Sequence, residues 1–206
     1  LLTLFLTNCA QKSYEVKQEA KIDDGRLLNE VPQWYIDAEI QKGLIGNVSF
    51  IQSNRRSLGK MRTQENVIWS FAPHDISMIL SVAQSEVLKV SKFGKDIFQQ
   101  DILDTATVNI EFKNGIKAII NTSWVSPVKD HSFTVTGDKG SLIFDDTKDW
   151  NEKLSFYRHK VSKKGSSEII IKGRDPRFIK VQEKEPLKEE CKYFIEVIKG
   201  LKKQRT

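Results

Sequence analysis

Residues 105–124 constrain the fold of this chain more than any other stretch. In TATVNIEFKNGIKAIINTSW, Ala106, Val108, Ile110 and Phe112 alternate with Thr105, Thr107, Asn109 and Glu111, the period-two pattern of a strand with one face buried and one wet. Asn114-Gly115 supplies the pair of residues a tight hairpin turn prefers, and Ile116 to Trp124 returns. Such a hairpin must cover one face with other elements, which sets the architecture expected for the whole chain. Further strands are expected at Gly46 to Asn54, Glu86 to Phe93, Leu154 to Tyr157 and Glu168 to Ile171. His131 to Thr136 and Ser141 to Phe144 flank Gly137-Asp138-Lys139-Gly140 and read as a second hairpin. Helices are expected from Gln33 to Lys42, stopped by Gly43, and after Pro73, where Ile76, Ile79, Leu80 and Ala83 share a face. A last helix opens at Pro186, aligns Leu187, Cys191, Phe194, Ile195 and Ile198, and ends at Gly200. The fold class is α+β: an open-faced, mainly antiparallel sheet with helices on one face. Trp124, Phe133 and Phe156 then have two readings, as core residues or as the contact of a sheet-to-sheet dimer.

Size and charge narrow the function classes. A chain of 206 residues suits one ordinary domain and is too short for two large ones. No apolar run approaches the ~20 residues of a membrane-spanning helix, so no membrane partner is expected. Leu6-Thr7-Asn8-Cys9 faintly resembles a lipoprotein signal, but there is no initiator methionine or basic leader, and Asn8 suits the position poorly. Cys9 and Cys191 lie far apart and form no disulfide framework, so a reducing compartment, the cytoplasm, is the expected location. The net charge of +6 is concentrated late, with sixteen Lys or Arg against eight Asp or Glu in residues 151–206. Glutamates are interspersed there and no aromatic platform accompanies them, so the tail reads as a solvated surface and no nucleic-acid partner is expected.

The chemistry-bearing residues gather in RRSLGKMRTQENVIWSFAPHDIS, Arg55 to Ser77. Ala72-Pro73 reads as the end of an extended run, and Pro73 suits a first helical position, which puts His74 at a helix N-terminus. There the macrodipole favours a neutral imidazole able to meet a hydroxyl-bearing or anionic ligand, whereas the plainer reading has His74 bonded to nearby backbone. Arg55, Arg56 and Arg62 carry planar forks that match phosphate oxygens, although three arginines also suit a solvated loop. Asp75, read as a first-turn residue, would interact with the helix dipole.

Three segments carry a family resemblance: GLIGNVSFIQSNRRSLGKMRTQENVIWSFAPHDISMIL, VNIEFKNGIKAIINTSWVSPVKDHSFTVTGDKGSLIFDD and EPLKEECKYFI. Together they resemble the C-terminal domain of the Gfo/Idh/MocA oxidoreductases, particularly the branch acting on nucleotide-linked sugars, the UDP-N-acetylglucosamine 3-dehydrogenases. The resemblance spans residues 25–206, and residues 1–24 match poorly. Gly25-Arg26-Leu27-Leu28 echoes a Gly-His-Leu-Leu of that branch, with Arg26 in place of the histidine. By resemblance, the chain is the substrate and oligomerisation half of an NAD- or NADP-dependent sugar oxidoreductase. The alternative is a non-catalytic sheet-dimer binding or assembly module. His74 would contact a sugar hydroxyl and assist proton removal, Arg55, Arg56 and Arg62 would meet a pyrophosphate, Lys129 a sugar acid or phosphate, and Trp69 would be a further substrate-binding residue. Many relatives place Asp four residues before the histidine, where this chain has Ser70, which cannot act as an orienting carboxylate. Neither the glycine fingerprint of a dinucleotide-binding βαβ unit nor the family's Glu-Lys-Pro motif occurs in the sequence. The expectations that follow are a chain cut short at both ends, inactive alone, which binds no NAD(H) by itself and forms a homo-oligomer through its open sheet face.

Overall fold

The Thr105–Trp124 alternation folds as a hairpin in which β3 (Thr105–Phe112) and β4 (Lys117–Ser123) pair antiparallel, Val108 opposite Ile120 and Ile110 opposite Ala118. Its turn places Gly115 at φ 89°, a left-handed conformation that a side chain resists. The computed structural model describes residues 33–164, 168–173, 175–181 and 186–201. The segment 1–24, Cys9 and the Gly25-Arg26-Leu27-Leu28 echo lie outside the described residues.

In chain order the elements are α1 (Gln33–Gln41), β1 (Val48–Leu58), α2 (Val67–Ala83), β2 (Val87–Lys95), the β3–β4 hairpin, β5 (Val125–Gly137), β6 (Gly140–Asp145), β7 (Leu154–Arg158), β8 (Lys160–Lys164), β9 (Glu168–Lys172), β10 (Arg177–Phe178) and α3 (Pro186–Ile198). Eight strands form one sheet in the order β10-β7-β6-β5-β1-β4-β3-β2, and β8 and β9 form a separate hairpin. Among the described residues β1–β4 is the parallel pair, because the chain leaves β1 through α2 and re-enters the sheet beyond it; the other pairings are antiparallel. The architecture is therefore the expected α+β open sheet. Beyond the expected strands, β5 starts at Val125 instead of His131, and β8 and β10 are additional.

α2 lies across β1, β3 and β4, with α1 beside it. Ala72, Ile76 and Ile79 of α2 share one core with Ile51, Val108, Ile110 and Ile120 of the sheet. Each fully buried isoleucine contributes roughly 1.5–3 kcal/mol, so the α2 stripe is a principal source of stability. Trp124, Phe133 and Phe156 are all buried in this core, which removes them from the open face as dimer contacts.

Asp104 locks the end of the sheet to the helix. Its carboxylate is wholly buried and accepts the N–H groups of Ile97 (2.7 Å) and Phe98 (2.8 Å) and the indole Nε1–H of Trp124 (2.6 Å). Trp124 in turn meets Phe71 of α2 edge-on, with ring centroids 6.4 Å apart, while Val67 N–H donates to Leu103 O at 2.9 Å. Burial raises the Asp104 pKa, but the bonds from Phe98, Trp124, Ile97 and Gln99 overcome it, leaving the carboxyl below its usual range. Because the folded pKa is depressed, the stabilisation is present above the unfolded pKa of about 3.9 and is lost as pH falls through the folded value. Asp104→Ala is expected to lower the unfolding free energy by about 3 kcal/mol in urea titrations, because its donors lose a buried charged acceptor. A change below about 1 kcal/mol would show that water replaces the carboxylate freely.

Candidate functional site

Asn66, not Pro73, begins the helix that carries the histidine. The Asn66 side chain accepts the N–H groups of Ile68 (3.0 Å) and Trp69 (3.2 Å), satisfying two orphan donors, and α2 starts at Val67. Pro73 sits in the second turn, where its missing N–H leaves the Trp69 carbonyl without the usual i+4 donor. His74 and Asp75 are therefore two turns inside α2, which corrects the expected N-terminal placement of both residues. The dipole argument for a neutral His74 loses its basis, since that effect fades within the first turn.

Asp75 points inward. It is fully buried, accepting the Ser53 hydroxyl at 2.5 Å on Oδ1 and Arg55 Nε–H at 2.8 Å on Oδ2. Ile51, Ser53 and Arg55 alternate onto the same face of β1, so the strand presents a hydroxyl and a guanidinium beneath the helix. With Asp75 held below, the opposite stripe of α2 faces out: Trp69 (44% exposed) and Pro73, Ser77 and the half-buried Ser70 and His74. Ser70 and His74 are one turn apart on that stripe. Arg62 lies in the loop before α2, its Nε 3.6 Å from Glu65 and its carbonyl accepting Gln99 Nε2–H at 3.0 Å.

The remaining expected site residues are dispersed. Arg56 points to the open face, opposite to Arg55, and is ion-paired with Asp130 of β5. That face carries a hydrogen-bonded row across four strands: Thr107 to Asn121 (2.9 Å), Asn121 to Asn54 (2.9 Å), Asn54 to Ser132 (3.1 Å) and Ser132 to Asp130 (2.7 Å). Lys129 is exposed on β5. Arg62, Trp69 and His74 thus lie on and just before the outer surface of α2, whereas Arg55, Arg56 and Lys129 belong to the sheet.

The sequence reading overlooked a second histidine. His131 sits opposite Arg55 in the β1–β5 register and lines a cavity of about 10 Å³, room for one water, with Asp75, Met78, Phe133, Phe144 and Asp146. Its Nε2 is buried and has no protein partner among the described residues. Beyond it, Lys153 and Asp146 form a buried pair at 2.5 Å, the ammonium 4.7 Å from the Trp150 ring centroid. The available signal was parity: His131 falls on the apolar side of its strand with Phe133 and Val135. Burial, and then the Arg55 and Lys129 charges, push the His131 pKa below 6.5, while Asp146 and Asp75 pull it up.

No described helix is long and apolar enough to cross a membrane, and no cluster of metal-ligating side chains occurs among the described residues. The profile of the GFO/IDH/MocA C-terminal domain matches residues 33–143. Among curated proteins nothing matches. Similar solved structures include UDP-N-acetylglucosamine 3-dehydrogenase GnnA from Acidithiobacillus ferrooxidans, 20% identical, with a TM-score of 0.62 over 82% of this chain and 51% of that one. The aldose-aldose oxidoreductase from Caulobacter crescentus complexed with glycerol is 12% identical, with a TM-score of 0.60 over 83% of this chain and 51% of that one. An inositol dehydrogenase homolog from Azotobacter vinelandii, complexed with NADH and myo-inositol, is 12% identical, with a TM-score of 0.55 over 71% of this chain and 40% of that one. The chain spans about half the length or less of these three proteins.

Two measurements check this geometry. Asp75→Ala removes the buried carboxylate that accepts from Ser53 and Arg55 and is expected to cost about 3–5 kcal/mol in urea unfolding, more than the Arg55→Met/Asp75→Leu double variant. For His131, the depressed folded pKa means that the unfolded state binds more protons, so its stabilisation is complete above about 6.5 and diminishes as pH falls toward the folded pKa. Imidazole titration by NMR should give His131 a midpoint below 6.5; a midpoint at or above that value contradicts the buried, cation-flanked environment.

Proposed function

This chain belongs to the GFO/IDH/MocA family through its C-terminal domain, and from that membership we propose that it is the substrate-binding and oligomerisation half of an NAD(P)-dependent sugar or nucleotide-sugar oxidoreductase. The observation that carries the reading is the placement of Arg62, Trp69 and His74 along the outer side of α2 and the loop that leads into it, inside the matched segment. A guanidinium suits a pyrophosphate, an indole face suits the apolar side of a sugar ring, and an imidazole suits a sugar hydroxyl. The NADH and myo-inositol complex and the aldose-aldose oxidoreductase among the similar structures support the substrate class and the cofactor.

In this reading His74 Nδ1 or Nε2 accepts the hydrogen bond of the hydroxyl on the carbon to be oxidised and takes its proton as the carbonyl forms. Ser70, one turn away on the same stripe, offers a hydroxyl rather than a carboxylate beside the histidine. Asp75 is turned away into its bonds with Ser53 and Arg55, so it orients the helix and not the imidazole. Hydride acceptance is the chemistry of a nicotinamide cofactor. The residues of this chain do not fit that group: no Gly-x-Gly-x-x-Gly turn occurs anywhere in the sequence to cradle its phosphates. The redox half of the reaction is therefore assigned to a dinucleotide-binding unit acting together with this one, and the chain alone is proposed to be inactive.

Arg55 contributes by fixing α2, and Lys129, exposed on β5 and felt by His131, is a candidate for an anionic substrate group. The open sheet face is proposed as a homo-oligomer contact. Its polar row runs beside the half-buried Phe50, Ile119 and Ile143, a mixture suited to an isologous sheet pair. This contact would also serve the alternative reading, a sheet-dimer assembly module without redox chemistry.

Calorimetric titration of the full chain with UDP-N-acetylglucosamine tests the substrate assignment. Arg62→Ala is expected to weaken binding by about 1–3 kcal/mol, and His74→Ala to weaken the nucleotide sugar more than UDP. Equal, salt-sensitive binding of unrelated polyanions, insensitive to His74→Ala, would favour the assembly module. Light scattering at micromolar concentration is expected to show a dimer or larger oligomer, and Asn54→Arg, which places a charge at the centre of the open face, to shift it toward monomer; a folded wild-type monomer rejects the contact.

A further inference from the structure

The loop after β2 presents an aromatic residue that the substrate reading leaves unused. Ile97 and Phe98 are 51% and 65% exposed, yet their N–H groups are gripped by the buried Asp104 carboxylate at 2.7 and 2.8 Å. The backbone that carries these apolar side chains into solvent is thus pinned. The same loop lies against the candidate site: Gln99 Nε2–H donates to the Arg62 carbonyl at 3.0 Å, and Val67 N–H, at the start of α2, donates to Leu103 O at 2.9 Å. Phe98 is consequently next to a residue in direct contact with the Arg62 loop. His74 lies two turns along α2.

We propose that Phe98 is the nucleobase-stacking residue of the site, so that Phe98, Arg62 and His74 meet the base, the diphosphate and the sugar of one nucleoside-diphosphate sugar. The inference rests on the nucleotide-sugar reading above and adds to it the subsite for the base. A nucleoside-diphosphate sugar carries a flat π face at one end, two negative charges in the middle and hydroxyls at the other end. The protein offers an aromatic ring, a guanidinium and an imidazole on two loops and a helix that hydrogen bonds tie to one another. Base–aromatic stacking tolerates any base but needs the ring held ready, because immobilising a loop on binding consumes affinity. Asp104 fixes in advance the backbone that carries the ring. Phe93, more exposed at 77%, lies on the edge strand opposite Thr107 of the open face and has no link to the Arg62 loop in the hydrogen bonds described. The stacking role therefore falls to Phe98.

The full chain would be titrated with UDP-N-acetylglucosamine, UDP and N-acetylglucosamine 1-phosphate, as wild type and as Phe98→Ala, Phe98→Tyr and Arg62→Ala. Phe98→Ala is expected to weaken UDP-N-acetylglucosamine and UDP alike, by roughly tenfold or more, and to leave the sugar phosphate unchanged. Phe98→Tyr should restore the affinity, and the melting temperature should not move, since the Asp104 bonds use the backbone. If Phe98→Ala leaves UDP affinity intact while Arg62→Ala lowers it, the stacking assignment is overturned and the nucleotide-sugar site survives. If Phe98→Ala weakens all three ligands equally, the residue shapes the loop and does not stack, which also overturns the assignment. Wild-type protein that binds none of the three overturns the nucleotide-sugar reading, and this inference with it.

Discussion

The pairing of Asp75 with Arg55 and Ser53 sets the rotation of α2, and the candidate site is built on that rotation. A buried carboxylate without partners would be strongly destabilising, so the helix must turn until Oδ1 and Oδ2 reach the hydroxyl and the guanidinium of β1. Apolar packing alone would hold α2 against the sheet but tolerate small rolls about its axis, since hydrophobic contact is not directional. The ion pair removes that freedom. A roll of one residue position would turn Trp69 and His74 away from their common outer surface.

The second constraint acts at the helix start. Asp104 gathers the loop after β2, the indole of Trp124 and, through Leu103, the first N–H of α2. The Arg62 loop is tied to the same assembly by Gln99. Buried carboxylates therefore fix both the rotation of α2 and the position of its N-terminus, and the exposed residues between them inherit a rigid frame. The two faces of the sheet divide the work. The helix side combines apolar packing with a short series of paired charges around His131, and the open side carries a continuous Thr-Asn-Asn-Ser-Asp row.

Much of the fold was legible because strand pairing writes a local period into the sequence. The alternation in Thr105–Phe112, the Asn114-Gly115 turn and the 137–140 turn each depend on residues a few positions apart. The start of α2 was misread because Pro73 is a strong local signal, whereas the actual cap, Asn66, is one polar residue among several in Gln64-Glu65-Asn66. Trp124, Phe133 and Phe156 stood open between core and interface, since parity assigns a residue to a face without saying which face is covered.

The candidate site was legible only as a composition. That Arg55, Arg56, Arg62, Trp69 and His74 fall within one segment could be read directly, as could a family resemblance that the match over residues 33–143 supports. Their division could not. Arg55 and Asp75 are twenty positions apart in sequence and Arg55 and His131 seventy-six, so no local rule joins them, and Arg56 reaches Asp130 only because β5 lies antiparallel to β1. Sequence by itself determined the periods, the turns and the inventory of functional groups, because these follow from short-range sterics and the alternation of side chains. Tertiary structure alone decided which charges are consumed in holding the fold and which are left facing solvent, because desolvation and pairing depend on distances between strands that the linear order does not contain.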